Sequence, residues 1–256
     1  MRSRFTRWLS LLTLLLAGAP GQAAPKPRVT QVAQEKKPEP PVDLGALFRF
    51  HYQVRTQSFQ EQNQAYRNVV LVGDSITEGF EVPQYLPGRR VLNRGIGGDV
   101  IGNDLPKDDP RGLLRRLDSS IFDCAATDVF LMIGINDLNS GHTVEMMETG
   151  YRELLRRIKT ETPRVRVHVE SLLPTRGGFA ARNAPVREFN SRLRKLAAEY
   201  GYDFLDLHAL VVDAQGELKA ELTADGLHLT PAGYELWRRE VLRVMNWSDA
   251  AISAPK

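Results

Sequence analysis

The chain has 256 residues and a formal net charge of +3, with 42% hydrophobic and 25% charged residues. Its single cysteine, Cys124, excludes an internal disulfide, so the folded part must be stabilised by its core without covalent cross-links. Arg2, Arg4 and Arg7 account for the positive charge, and the chain from residue 24 onward is neutral. This distribution argues against a nucleic-acid partner, which requires a basic face on the folded domain.

The first 42 residues are predicted to lie outside the folded domain. Arginines precede the apolar stretch 8–17, and Gly21-Gln22-Ala23 offers small residues for cleavage, so residues 1–23 are predicted to be a signal peptide. The apolar stretch is shorter than the roughly 20 residues of a membrane span. An uncleaved N-terminal anchor is the alternative. No cysteine lies directly after the stretch, which predicts a periplasmic or secreted protein without a lipid-modified N-terminal cysteine. Residues 24–42, rich in Pro, Lys, Gln and Glu, are predicted to be a disordered linker.

Residues 43–247 are predicted to form one α/β domain, followed by a disordered tail at 248–256. Apolar runs typical of strands occur at 69–72, 91–92, 129–133, 165–169 and 204–207. Helices are predicted at 44–66, 113–117, 146–159, 186–200 and 233–245. The alternation of the two types predicts a three-layer α/β/α sandwich with a mostly parallel sheet of roughly five strands.

The most informative sequence is Gly73-Asp74-Ser75-Ile76, at the end of the first predicted strand. Ser75 would begin a helix, where unpaired N–H groups and the helix dipole stabilise negative charge beside the hydroxyl. A short Gly-Asp-Ser turn is, however, more often ordinary turn chemistry, with Asp74 bonding to its own backbone. The tetrapeptide alone is therefore a weak signal, and its weight depends on motifs further along the chain.

Two later motifs also follow predicted strands and can supply hydrogen-bond donors. The motif 93–99 (Asn-Arg-Gly-Ile-Gly-Gly-Asp) contains glycines that permit close backbone approach and can expose the N–H of Gly98 to a cleft. The motif 134–137 (Gly-Ile-Asn-Asp) places Asn136 at the carboxyl end of a buried strand, where open α/β sheets bind ligands. Taken singly, each is also a common turn or strand ending.

The last motif, Asp225-Gly226-Leu227-His228, places an acid three residues before a histidine. Thr230 and Pro231 suit the N-cap and the first position of a following helix. His228 can accept the proton of Ser75 near neutral pH, while Asp225 can orient the ring and stabilise the imidazolium. A surface turn before a capped helix is the simpler interpretation if this motif is considered alone.

The four ordered motifs resemble those of the SGNH subgroup of the GDSL hydrolases, over roughly residues 69–237. The resemblance implies a flavodoxin-like fold, with Ser75 as the nucleophile, His228 as the base and Asp225 as the group that orients the base. The sequences around Gly98 and His228 look closest to acetylhydrolases of the platelet-activating-factor type and to bacterial carbohydrate acetylesterases.

The same resemblance implies an oxyanion hole with three donors: the N–H groups of Ser75 and Gly98 and the side-chain amide of Asn136. The chain departs from many relatives in the Gly-, Asp- and Pro-rich segment 100–112. This segment and 176–185 are predicted to be the walls of the substrate cleft. Both contain few large apolar residues, so neither indicates a long acyl channel.

The remaining charged residues and histidines are interpreted as structural. Arg94 is expected to be either a solvated charge or a contact to a polar group near the cleft, with the structural role favoured. The other histidines, His51, His142, His168 and His208, are interpreted as surface or partly packed residues. His208 is the easiest to mistake for a catalytic base, because Asp206 precedes it by two positions.

The motifs absent from the chain exclude several other chemistries. The elbow Gly-x-Ser-x-Gly and the phosphate loop are absent, and Gly95 to Gly98 misses the dinucleotide spacing, so no cofactor is predicted. The histidine and cysteine spacing predicts no metal. The sequence therefore predicts an exported serine esterase acting on short acyl groups, acetyl above all, of a carbohydrate or related small molecule. The alternatives are a lysophospholipase or thioesterase for longer chains, and a non-catalytic sugar- or envelope-binding domain.

Overall fold

The computed structural model describes residues 43–63 and 68–249. The predicted signal peptide, the linker at 24–42 and most of the tail at 248–256 lie outside these ranges, as does the end of the helix predicted over 44–66. Within the described residues, no helix is both long enough and apolar enough to cross a membrane.

A sheet of five parallel strands forms the centre of the domain. The strands are β1 (Asn68–Gly73), β2 (Val91–Gly95), β3 (Ala126–Met132), β4 (Arg166–Glu170) and β5 (Asp203–Leu205). Their order is β2-β1-β3-β4-β5, and every neighbouring pair is parallel. The predicted α/β/α architecture is confirmed, and each predicted strand overlaps an observed one.

The helices cover both faces of this sheet. They are α1 (Leu44–Gln62), α2 (Ser75–Glu78), α3 (Val82–Tyr85), α4 (Leu117–Ser120), α5 (Ile135–Asn139), α6 (Val144–Glu161), α7 (Asn183–Tyr200), α8 (Leu207–Val211) and α9 (Pro231–Val244). The long helices α6 and α7 pack against each other, and α9 packs against α3 and α8. Burial of β1 along its whole length is the reason for its continuous apolar sequence.

The helix predicted at 113–117 is not a single helix. A 3-10 helix spans Leu113–Arg115, the helical backbone is broken at Arg116, and α4 begins at Leu117. Arg116 is buried, and its guanidinium forms an ion pair with the buried carboxylate of Asp99 at 2.7 Å. We attribute the interruption to this inward-facing arginine, which is fixed by tertiary contacts that local periodicity does not report.

Arg94 is fully buried, so the expectation of a solvated charge is wrong. Its guanidinium donates to Gln62 Oε1 and Asn63 Oδ1, each at 2.8 Å, and lies 4.6 Å from the centre of the Phe59 ring. All three partners come from α1 or its C-terminal end. Arg94 therefore fixes α1 across the end of β2, and the sequence before the first strand becomes part of the domain core.

His168 is also more buried than expected. It lies on β4 between two other strands, is 3% exposed, and its Nε2 lies 3.1 Å from Asp128 Oδ1 on β3. The interpretation of this histidine as a surface or partly packed residue is wrong, because β5 covers the edge of the sheet beyond it.

The strand order places a crevice at the carboxyl end of β1. From β1, the chain moves to β2 on one side and then returns to β3 on the other, which makes this position the topological switch point of the sheet. Ser75 follows β1 and Asn136 follows β3. Because all strands are parallel, these motifs lie on one rim.

Candidate active site

Three residues predicted to be catalytic form a continuous chain of hydrogen bonds. Ser75 Oγ lies 2.9 Å from His228 Nε2, and His228 Nδ1 lies 2.6 Å from Asp225 Oδ2. With the Nδ1 proton donated to the carboxylate, Nε2 is left as the acceptor for the serine hydroxyl. This arrangement can remove a proton from Ser75 without moving any backbone.

Hydrogen bonds within its own loop hold the Asp225 carboxylate beside His228 Nδ1. Asp225 Oδ1 accepts from the backbone N–H groups of Leu227 at 2.9 Å and His228 at 2.8 Å. The loop that contains Asp225 and His228 also contacts the segment after β4, where the Arg176 N–H donates to the Gly226 carbonyl at 2.8 Å. Partial desolvation acts to raise the pKa of Asp225, but the bonds from the His228 ring and from these backbone groups outweigh it and lower the pKa below its usual range. Asp225 therefore stays ionised at neutral pH.

The backbone turn at Asp74 places Ser75 at the start of α2. Asp74 is buried, and its Oδ1 accepts from the Ile76 N–H at 3.0 Å, which confirms the predicted bond of this aspartate to its own turn. Burial raises the pKa of Asp74 to about 7. Because α2 has only four residues, its effect on the nucleophile comes from free N–H groups rather than from a long helix dipole.

The three predicted oxyanion donors lie on the same rim as Ser75. Among the described residues, the Ser75 and Gly98 N–H groups have no hydrogen-bond acceptor. Asn136 Nδ2 donates to the Asp99 carbonyl at 2.9 Å, which orients the amide and leaves its second N–H available. A Cβ built on Gly97 would lie 3.9 Å from Ser75 Cβ, so the glycine loop is directly beside the nucleophile. The three groups are therefore free to donate to an oxyanion.

Gly98 has a φ of +72°, a conformation that residues with a Cβ rarely adopt, so this donor position requires glycine. A Cβ there would also come within 2.7 Å of the Phe48 ring on α1. The sequence did not indicate that α1 reaches the site, because α1 precedes the first strand and carries none of the four motifs.

A buried network behind the glycine loop was also missed by the sequence interpretation. Asp99 Oδ2 pairs with Arg116, and Asp99 Oδ1 accepts from the Gly112 N–H at 2.7 Å. Asp137 accepts from the Ile101 N–H at 3.2 Å, and burial raises the pKa of Asp137 to about 8. These contacts fix both ends of the segment 100–112, whose polar composition suggested only a cleft wall.

Two spaces lie beside residues that adjoin the site. A groove of about 310 Å³ lies between α1 and the predicted wall segment 100–112, and its lining residues are Gly45, Phe48, Arg49, Pro106, Asp108, Asp109, Pro110 and Arg111. An apolar cavity near His228 encloses only about 10 Å³ and is lined by Leu173, Leu207, Leu210, Val211, Leu229, Gly233, Leu236 and Trp237. Such a cavity holds at most one water molecule.

His208 lies in a different place from Ser75. It lines a groove of about 300 Å³ with residues of α7 and β5, and burial lowers its pKa. Asp206 pairs with Arg194 at 2.6 Å and caps α8 through the Ala209 N–H, instead of orienting His208. Among the described residues, no group of three or more His, Cys, Asp or Glu side chains could hold a metal ion.

Comparisons with known proteins agree with this architecture. The family model of the GDSL-like lipases and acylhydrolases matches residues 71–236. The platelet-activating factor acetylhydrolase IB subunit alpha1 of Pongo abelii is 29% identical over 210 residues, covering 77% of this chain and 83% of that protein.

Two solved structures show the same fold. A GDSL-like lipase of Bacteroides thetaiotaomicron has a TM-score of 0.64 at 19% identity, covering 78% of this chain and 98% of that one. An acetyl-xylooligosaccharide esterase from Geobacillus has a TM-score of 0.54 at 18% identity, covering 75% of this chain and 100% of that one. The chain belongs to the GDSL-like lipase/acylhydrolase family and is a carboxylic ester hydrolase.

Proposed function

We propose that this protein is an exported serine esterase that removes short acyl groups, acetyl above all, from a carbohydrate or a related small molecule. The observation that carries the proposal is the hydrogen-bonded series Ser75, His228 and Asp225 beside unpaired N–H donors. A binding domain has no need of a serine bonded to a histidine that is itself oriented by an ionised carboxylate.

In the first half of the reaction, Ser75 Oγ attacks the ester carbonyl while His228 Nε2 takes the hydroxyl proton. Asp225 stabilises the imidazolium that results. Negative charge develops on the former carbonyl oxygen, where the N–H groups of Ser75 and Gly98 and the Asn136 amide stabilise it. The intermediate collapses, the bond to the alcohol oxygen breaks, and His228 returns its proton to the leaving alcohol.

The second half repeats these steps with water. His228 Nε2 removes a proton from a water molecule, whose oxygen attacks the acyl carbon on Ser75. The bond between the acyl carbon and Ser75 Oγ then breaks, the serine regains a proton from His228, and the free acid leaves. Ester and water are thereby converted to alcohol and acid, and no other reactant is consumed.

The preference for a short acyl group is supported by the absence of a long apolar channel in the two spaces beside the site. The apolar cavity near His228 is about 10 Å³, whereas the groove beside Phe48 is much larger and is lined mostly by charged residues and prolines. A long alkyl chain would have to lie against this polar wall. Similarity to an acetylhydrolase and to an acetyl-xylooligosaccharide esterase favours acetyl as the acyl group and a sugar as the alcohol.

Export is supported by the sequence of residues 1–23, which combines arginines, a short apolar stretch and small residues. The only cysteine, Cys124, is fully buried, so its thiol is protected from oxidation outside the cytoplasm. Burial also raises its pKa, which keeps it in the less reactive thiol form.

An acyl-length series tests the proposal. Residues 24–256 should hydrolyse p-nitrophenyl acetate without added metal, with rates that fall steeply from acetate to butyrate to octanoate, and should release acetate from acetylated xylo-oligosaccharides. In a pocket that admitted longer chains, each added methylene would instead favour binding by about 0.8 kcal/mol. A preference for octanoate would therefore favour a lysophospholipase or thioesterase. Inactivity on every ester, with folding confirmed, would favour a binding domain.

A further inference from the structure

Glu78 connects the helix that begins at Ser75 to the loop that contains Gly98. Glu78 is the last residue of α2, and its Oε2 accepts a 2.5 Å hydrogen bond from the N–H of Gly97. One end of this bond is therefore fixed to the nucleophile's helix, and the other end is one residue from the Gly98 donor. The bond is charge-assisted, and such bonds are stronger than those between neutral groups.

The loop also contacts the backbone of Glu78. A Cβ built on Gly95 would lie 2.1 Å from the Glu78 nitrogen, which leaves no room for any residue other than glycine. The glycine loop and α2 are thus in direct contact. Their separation depends on how the Glu78 carboxylate is held.

Two side chains of α1 hold that carboxylate. His51 Nε2 lies 3.1 Å from Glu78 Oε1, and Arg55 Nε lies 3.4 Å from the same oxygen. Arg55 Nη2 also donates to the Gly95 carbonyl at 2.7 Å, so one arginine contacts both the carboxylate and the start of the glycine loop. The Glu78 side chain is 24% exposed, and these contacts are therefore only partly screened by solvent.

From these contacts, we propose that Glu78 is a positioning residue for the oxyanion hole, and that His51 and Arg55 orient its carboxylate. The inference rests on the proposed esterase function. Glu78 is none of the residues assigned to attack, proton transfer or oxyanion binding, and it acts through Gly97 on the position of the Gly98 N–H. Because α1 lies before the residues 71–236 that match the family model, the support for this donor comes from outside that module.

Loss of the Glu78 carboxylate should change turnover rather than substrate binding. Glu78→Ala in residues 24–256 should lower kcat for p-nitrophenyl acetate by about 10²-fold and change KM little. A loss of this size is expected when a catalytic group is misplaced by about 1 Å. Glu78→Gln keeps an oxygen that can accept from Gly97, and its kcat should recover to within about tenfold of the parent. Glu81→Gln, an exposed glutamate three residues further on, is the matched control and should behave as the parent.

A double substitution separates positioning from general loss of structure. His51→Ala should lower kcat in the parent but add little in Glu78→Ala, because both changes act through one carboxylate. Thermal unfolding of each variant identifies any that fail to fold. An unchanged kcat in Glu78→Ala, or a Glu78→Gln variant as slow as Glu78→Ala, would overturn the inference. Inactivity of the parent would instead contradict the proposed function itself.

Discussion

Ser75 Oγ lies 2.9 Å from His228 Nε2, although 153 positions separate the two residues in the sequence. The fold brings them together: Ser75 follows the interior strand β1, and His228 lies in the loop before α9. Asp225, on that same loop, holds the ring in the orientation that presents Nε2 to the serine.

Replacing Asp225 tests the orientation of the base. Asp225→Asn should lower kcat for p-nitrophenyl acetate by about 10³- to 10⁴-fold. An amide can donate to Nδ1, which favours the histidine tautomer with its proton on Nε2, and that tautomer cannot accept the serine proton. Asp206→Asn is the control, since Asp206 precedes His208 but pairs with Arg194 instead. Equal rates for Asp225→Asn and the parent would remove Asp225 from the mechanism.

Replacing Asn136 tests the side-chain donor of the oxyanion hole. Asn136→Ala should reduce kcat by about 10² to 10³, with a much smaller effect on KM, because the amide acts mainly on the transition state. Asn139→Ala on the same short helix, α5, is the matched control; its side chain contacts Arg182. Steady-state kinetics with p-nitrophenyl acetate give both constants. A normal kcat in Asn136→Ala would show that this amide does not stabilise the oxyanion.

Glu170 gives the folded state a pH dependence that can be measured separately. Burial raises its pKa from 4.5 to about 8, against the hydrogen bond from Trp237. Between these values the unfolded chain releases a proton that the folded protein keeps, so the free energy of unfolding falls as pH rises from about 4.5 to about 8.

The Glu170→Gln variant should therefore lose less stability than the parent between pH 5 and pH 8, because its amide cannot ionise. The parent's Tm should fall by a few degrees more than the variant's over this range. The amide oxygen can still accept from Trp237 Nε1, which in the parent lies 2.6 Å from Glu170 Oε1. Parallel Tm curves for the two proteins would contradict the raised pKa.

Arg94 tests whether α1 belongs to the folded core. Arg94→Ala leaves Gln62 Oε1 without its arginine donor and Asn63 Oδ1 with only the Cys124 thiol, and it opens space beside Phe59. It should therefore destabilise the domain by about 3 kcal/mol. Arg49→Ala, on the exposed part of the same helix, should change the free energy of unfolding by less than about 0.5 kcal/mol. Urea titration measures both. A stability loss no larger for Arg94→Ala than for Arg49→Ala would contradict the role of Arg94.

Much of the fold could be predicted because local patterns matched the tertiary structure. The run Val69 to Val72 is apolar without alternation because β1 is buried on both faces, and α6 and α7 have one apolar side because each covers the sheet. Ser75, Gly98 and Asn136 also lie on one rim, since residues that follow parallel strands emerge at the same edge. Their roles stay predictions until the variants are measured.

What the sequence did not predict depends on contacts between distant segments. Arg94 looked like a surface charge because its partners, Gln62 and Asn63, lie 31 or 32 positions earlier. Glu78 offered one local signal, its position three residues after Ser75 on the same helix, but its hydrogen bond to Gly97 required the fold. The break at Arg116 likewise follows from a buried pair with Asp99 that no periodicity encodes.

Covalent labelling with a fluorophosphonate probe tests the central claim, that Ser75 is the nucleophile, most directly. We expect one phosphonyl group per molecule, located at Ser75 by peptide mass spectrometry, with loss of esterase activity in proportion to labelling. His228→Ala should label far more slowly, because the serine proton then has no acceptor. Full activity in a protein labelled at Ser75, or complete inactivation with the probe on another residue, would contradict the assignment of Ser75.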